Sequence, residues 1–467
     1  MKRFVYLQVL FVTLAVAGCA ALRGSPVYEG PLLISGEGPM PGVPADVEYA
    51  DYWIRTASNP DEVILTPEKI ETFNSENPMN GTAIIDVLSL PPEIDGAVIR
   101  DHIAGNARYL LDAELYVTGD IPLEKAERHR IAALMDTSGI PDVIPVKLGV
   151  MLHREQGRTW PSMVPVTGEP NDNEFDSVVG SAIDMGEPVA LFHVSRDGRW
   201  SYVQNSMYTC WIHSEAAAFG DMETVRELTD RNAPVVAVGH RVSVYGSPED
   251  AAAVGSIQMG SCLPLRTAGR DYCEVLIPGR GEQNELVAKR GYVRRSSDVS
   301  IGFLPYTLRN VYRQCFTIFG RRYGWAGMFE ERDCSRLVMD VFKCFGFRLP
   351  RTSTSLLKAS GAVLELGEYD RETRIELLNA SPGGITLTGW PGHIMIYLGN
   401  VLGTPYVIQA TWGRREPLEG GVDVTHRLAR VLVSDLMIGD GSSRGARIDR
   451  LTHLTILGNY TFTNTDR

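Results

Sequence analysis

The chain is poor in cysteine, has one long apolar run only, and lacks any concentrated basic stretch. Seven cysteines in 467 residues are too sparse for a disulfide scaffold, and no CxxC pair points to structural zinc. We therefore expect no metal and no cofactor. The single long apolar run, at the very start, excludes a polytopic membrane protein. With 45 Lys and Arg against 57 Asp and Glu the net charge is −12, so nucleic acid is not an expected partner. No low-complexity run supports large-scale disorder. A composition 44% hydrophobic and 22% charged is that of a globular chain with room for several cores.

The apolar run sets the expected location. Lys2 and Arg3 precede an apolar stretch from Phe4 to Ala17, and the sequence continues Val16-Ala17-Gly18-Cys19. The stretch is shorter than the ~20 residues that span a bilayer and reads as a secretory signal. The residues before Cys19 resemble the bacterial lipobox, so residues 1–18 are expected to be removed and Cys19 lipidated. Residues 19–45, rich in Gly, Pro and Ser, would form the lipidated tether. Ala20 follows Cys19 and no Asp signals inner-membrane retention. The expected place is the cell envelope, with a lipid anchor to the membrane, in the outer membrane facing the periplasm.

Residues 46–152 carry mostly helical patterning. Pro67 reads as a helix start, and Ile99, Ile103, Ala107, Leu110 and Leu111 recur at helical spacing. With no catalytic constellation there, the segment reads as an N-terminal stabilising domain. Residues 153–222 change to short strands: Pro188–Val194, an Asp197-Gly198 turn, Trp200–Val203, then Tyr208–Ile212. A weaker copy occupies residues 232–300, around Val242–Tyr245, Tyr272–Leu276 and Gly291–Val293. Two small β units in tandem resemble paired bacterial SH3-like domains.

Residues 304–467 hold the chemistry. Asp333-Cys334-Ser335-Arg336 opens an apolar pattern at Leu337, Val338, Val341, Phe342 and Phe345, with Gly346 as a C′ candidate and Pro350 blocking continuation. Asp333 would cap this helix and place Cys334 in its first turn. There the unpaired N–H groups, helped by a nearby imidazolium, would lower the thiol pKa. His393–Leu398 and Tyr406–Thr411 read as two strands around a turn centred near 401–402, which brings His393 and Gln409 together on one face. Cys334 as nucleophile, His393 as base and Gln409 as the group orienting the imidazole form a complete set. Cys210, Cys262, Cys273, Cys315 and Cys344 read as ordinary packed cysteines.

Four blocks, Tyr323-Gly324-Trp325-Ala326-Gly327, Asp333-Cys334-Ser335, Leu349-Pro350-Arg351-Thr352-Ser353 and Gly392–Gly399, closely resemble the NlpC/p60 family of papain-like cell-wall cysteine peptidases. The resemblance implies an α+β papain-like catalytic domain behind two small β-barrel SH3-like domains and a mainly helical N-terminal domain. That order is similar to γ-D-glutamyl-L-diamino acid endopeptidases of the dipeptidyl-peptidase VI type. It implies hydrolysis of the γ-D-Glu–diamino acid bond in peptidoglycan stem peptides with a free amino-terminal L-Ala. By the same resemblance Asp333 and Ser335 are candidates to bind the substrate ammonium, Asp333 being equally well a helix cap. Thr352 and Ser353 match a substrate-contacting hydroxyl pair, Ser353 being equally well an N-cap. Tyr208 and Glu174, with Glu187 as the alternative acid, would come from the first SH3-like unit. Arg336 and Ala326 stand where the family pattern has Gly, which could reshape the cleft. Two other readings remain open here. A catalytically inactive wall-binding lipoprotein would be expected to have lost one of the three site residues, and an NlpC-related amidase or acyltransferase would not need capping groups on the SH3-like unit.

Overall fold

The computed structural model describes residues 32–34, 40 and 42–460, except 173, 361 and 419–421. Cys19 and the signal segment lie outside the described residues. No helix among the described residues is long and apolar enough to cross a membrane.

The carboxy-terminal unit is a seven-stranded sheet in the order 32–34, 423–435, 404–417, 393–401, 386–390, 453–456 and 362–365. The helix Cys334–Lys343 packs on its two central strands, His393–Val401 and Thr404–Pro417. Two all-β units precede it, one beginning at Lys147 rather than near residue 153, the other spanning Pro234 to Ile301. Gly198, at φ +73°, turns the strand Pro188–Val194 into Trp200–Gln204 as the Asp-Gly signal indicated. Leu32–Ile34 adds a parallel strand beside Thr425–Arg427, and Val47 is buried in a 3-10 turn. The supposed tether is thus in part tied to the catalytic sheet.

The segment 46–152 has the expected helices, including one that starts at Pro67 behind a Thr66 cap. It has no core to itself. Val47, Trp53, Ile54, Leu65 and Ile70 complete the catalytic core. Ile99, Ile103, Leu110 and Ile131 pack instead against Trp160, Trp200, Tyr202 and Trp211 of the first β unit. Leu111, expected on the buried face, is 38% exposed. A helical period tells which face is apolar and leaves open what covers it.

The Cys334 helix shows why these units sit as they do. Its apolar face fills the catalytic core as the pattern indicated, and Gly346 closes it at φ +94°, with Phe347 N–H bonded to Phe342 O at 3.3 Å and Gly346 N–H to Lys343 O at 3.0 Å. Its polar face is buried as well. Arg336, fully buried, donates through Nε to Asp340 Oδ1 at 2.7 Å, through Nη1 to Ala182 O at 2.9 Å, and through Nη2 to Asp184. Asp184 belongs to the first β unit and also takes Arg154 and, at 3.2 Å, Ser261 Oγ of the second. Asp340 is shared with Arg332 at 2.7 Å, and Arg332 reaches His240 Nδ1 of the second β unit at 2.8 Å. Burial alone would raise the Asp184 carboxyl, but Arg154 and Arg336 hold it well below its usual range. Arg336 therefore faces away from the cleft and locks three units together. Arg336→Ala would leave two carboxylates buried without their shared cation, a loss of about 3–5 kcal/mol. Calorimetry should show a clearly lowered unfolding temperature for this variant, and an unchanged transition would contradict the network's structural role.

Candidate active site

Cys334 is the first residue of its helix, capped by Asp333, whose Oδ1 accepts the Arg336 N–H at 2.8 Å. The sulfur receives the backbone N–H of Ile394, the residue that follows His393, so helix and strand meet at the thiol. The hairpin turns at Leu402 and Gly403, both at positive φ, one residue later than the sequence suggested. A bulge between Tyr397 and Gly399 absorbs the offset, and His393 Nε2 donates to Gln409 Oε1 at 2.8 Å. Gln409 is fully buried and its Nε2 donates to Ser434 Oγ at 2.7 Å. Its oxygen also accepts from Arg447 Nη1, while Arg447 Nη2 holds Thr411 Oγ1 at 3.0 Å and Gly413 O at 3.2 Å. With donors on its oxygen and a hydroxyl on its nitrogen, the amide has one consistent orientation. That orientation fixes the proton on His393 Nε2 and leaves Nδ1 as the basic atom.

Burial decides the charge state. It pushes the Cys334 thiol up to about 12, with the neighbouring Asp333 carboxylate adding to it and the Ile394 N–H opposing. Desolvation first, and then the Arg447 guanidinium, lower the His393 imidazole to about 3. The expected lowering of the thiol pKa by the helix terminus is therefore outweighed, and the resting pair is a thiol beside a neutral imidazole. Tyr323, partly buried, lies near Cys334 and Asp333, and desolvation followed by those two groups pushes its phenol far above its usual range.

Several residues expected to touch substrate are occupied otherwise. Asp333 accepts at Oδ1 from Arg336 N–H, Ser335 Oγ at 3.1 Å and Arg351 Nη1 at 3.2 Å, and at Oδ2 from Ala326 N–H at 3.1 Å and Arg351 Nη2. With five donors and its own buried cation, Asp333 serves as helix cap and ion-pair partner. Ser335 Oγ is likewise bound to Asp333 and to Arg351 at 2.5 Å. Tyr208 is buried and donates to Ser181 O at 2.7 Å, a layer behind the site. Ser181 Oγ in turn accepts from Arg351 Nε at 2.7 Å. Glu187 pairs with Lys343 at 3.0 Å, at the far end of the helix. Thr352, not Ser353, is the N-cap of the short helix that follows, accepting from Ser355 N–H at 3.1 Å. Ser353 Oγ accepts the Gly392 N–H at 3.0 Å and braces the turn that carries His393. Ala326 adopts φ +51°, a conformation that favours glycine, so the family's Gly there has a backbone reason.

Glu174 does reach the catalytic unit. It accepts from Trp412 Nε1 and pairs with Arg427 at 2.6 Å. Trp412 occupies a bulge between Thr411 and Gly413, and Phe175 packs beside it, 5.1 Å from Trp325 and 6.4 Å from Tyr323. Trp325 Nε1 donates to Asp176 O at 3.0 Å. The loop 174–176 of the first β unit is therefore one wall of the site. Sequence reasoning missed Arg351, which stood inside a quoted motif, and Arg447, which no motif marked.

Comparison with known proteins agrees with this construction. Residues 320–411 match the NlpC/P60 family and residues 165–213 the SH3 domain of SH3b1 type. The chain thus carries an NlpC/P60 catalytic domain, of a family made up in general of cysteine peptidases, together with an SH3-like domain. No curated protein matches the chain. Among solved structures, an NlpC/P60 endopeptidase from Photobacterium damselae subsp. piscicida is 19% identical with a TM-score of 0.71, covering 87% of this chain and 96% of its own, which shows a shared fold. An NlpC/P60 family protein from Bacillus cereus ATCC 10987 is 15% identical with a TM-score of 0.42, covering 59% of this chain and 81% of its own.

A thiol held near 12 predicts that alkylation of Cys334 by iodoacetamide rises about tenfold per pH unit from pH 7 to pH 10. The fully buried Cys344 and Cys315 should stay unlabelled in the native protein. A rate plateau below pH 8 would show a preformed thiolate instead. Removing the Arg447 charge eases protonation of His393, so Arg447→Gln should move its imidazole titration upward, toward 6.5. Burial remains in that variant, so the shift should be partial. Imidazole NMR titration of both proteins reads this directly.

Proposed function

We propose that the chain is a cell-wall cysteine endopeptidase that hydrolyses the γ-D-Glu–diamino acid bond of peptidoglycan stem peptides. The observation that carries the reading is Cys334 at a helix N-terminus, its sulfur on the N–H of Ile394, the residue next to a His393 whose basic atom is set by Gln409. As the sulfur attacks the scissile carbonyl, its proton passes to His393 Nδ1. The imidazolium forms against Gln409 Oε1, while the oxyanion forms near the positive end of the helix. His393 then gives that proton to the leaving amine of the diamino acid. Water, deprotonated by the same imidazole, attacks the thioester and releases the D-Glu carboxylate and the free thiol.

Selection of a free amino-terminal L-Ala rests on the wall supplied by the first β unit. Glu174 is the acid at that wall, half-exposed and shared with Arg427. Envelope anchoring through Cys19, facing the periplasm, belongs to the same reading.

Cys334→Ala, and to a similar extent His393→Ala, should abolish release of the L-Ala-D-Glu dipeptide from tripeptide substrate, followed by mass spectrometry. Full activity of Cys334→Ala would end the peptidase reading. The free tripeptide should exceed its N-acetylated form in kcat/KM by roughly ten- to a hundredfold, and Glu174→Ala should narrow that gap. Equal turnover of both substrates by the wild type would point to a hydrolase of intact wall. Cys19→Ser should move the protein from the membrane to the soluble fraction, and unaltered partitioning would count against lipidation there.

A further inference from the structure

The helix that supplies Arg447 ends, one turn later, in Arg450. The Arg450 guanidinium lies 4.0 Å from the centroid of the Trp390 ring, and that ring lies 5.1 Å from the His393 ring. Trp390 and His393 face each other across the tight turn at Pro391-Gly392, which sets indole beside imidazole. Among the described residues the Trp390 ring is the sole partner of Arg450, which makes no hydrogen bond and no ion pair. Its half-buried setting and the nearby Arg444 and Arg415 lower its pKa to about 10, in that order of effect. Arg415 has its own carboxylate, Asp423, at 3.3 Å. Arg450 has none. A guanidinium seated on an aromatic ring, crowded by like charge and holding five uncommitted donors, is a site lacking its anion.

Its place fixes which half of a substrate would bring that anion. His393 must hand a proton to the leaving amine, so groups packed beside the imidazole border the amine side of the scissile bond. The geometry points to a carboxylate-binding subsite for the leaving diamino acid, formed by Arg450 on Trp390. This rests on the proposed cleavage between D-Glu and the diamino acid. Two carboxylates could occupy it: the α-carboxylate, present in any tripeptide, or a side-chain carboxylate, present in 2,6-diaminopimelate and absent from lysine. The second would make Arg450 the residue that selects the diamino acid.

The test uses full-length Cys334→Ala protein, so that binding is read without turnover. Four L-Ala-γ-D-Glu tripeptides, ending in diaminopimelate or lysine and each with a free or amidated α-carboxyl, are titrated calorimetrically. The peptide bearing the recognised carboxylate should bind about tenfold tighter or more than its neutral counterpart. Adding Arg450→Gln should remove the difference, and Arg450→Lys, a point charge without the fork, should keep part of it. A difference that follows the side chain identifies diaminopimelate selection, and one that follows the α-carboxyl identifies recognition of a free carboxy terminus. Equal binding of charged and neutral peptides, or a preference that survives Arg450→Gln, would overturn the subsite. Failure of the parent enzyme to cleave any of the four would overturn the peptidase reading instead, while the binding arm still decides this one.

Discussion

The arrangement depends on a buried ion network centred on Asp184 and Arg336. Two cations and a hydroxyl converge on Asp184, and Arg336 links it to Asp340, which Arg332 carries on to His240. Such a network gains little over an apolar interface of the same shape, because desolvating the charges offsets most of their attraction. What it supplies is direction. Charged hydrogen bonds tolerate little misalignment, so the helix that starts with Cys334 is held at one angle to both β units. The second β unit, which reaches the helix through His240 and Ser261, thereby helps to set where the thiol points.

Electrostatic control of the site follows from the same economy of water. Cys334 is buried and His393 partly so, and both are held neutral in consequence. Charge separation during attack must then be stabilised by groups already in place: the helix terminus for negative charge, Gln409 Oε1 for the imidazolium. Arg447 works against the second of these by placing a positive charge on the same oxygen. It also has an electrostatic interaction with Cys334 of the sign that favours the thiolate. Its net effect is to shift stabilisation from base to nucleophile.

Much of this was legible in the sequence, and the limits have physical causes. Cys334 in a first turn follows from Asp333 and the apolar period behind it, information local to a dozen residues. The pairing of His393 with Gln409 followed from counting along a hairpin, and survived an error of one residue because the bulge near Leu398 compensates it. How Asp333, Ser335 and Tyr208 are held was not legible, because each has a distant partner. Asp333 is a capping carboxylate in any helix, but only the fold brings Arg351 to neutralise it. Arg447 lies 38 residues from Gln409, in a short helix with no distinguishing pattern. The division of 46–152 between two cores was hidden for a related reason, since apolar faces carry no address.

That division of the amino-terminal helices between two cores makes the chain a poor candidate for dissection. Trp53 packs against Tyr312 and Tyr406 of the catalytic unit, while Ile99 and Leu110 belong to the core of the first β unit. An excised catalytic fragment would present a hydrophobic socket to solvent, and an excised β unit would present another. The fold is therefore a woven one rather than beads on a string: its units should unfold in a common transition, and recombination of this peptidase unit onto foreign neighbours would have to carry the residues 47–77 with it.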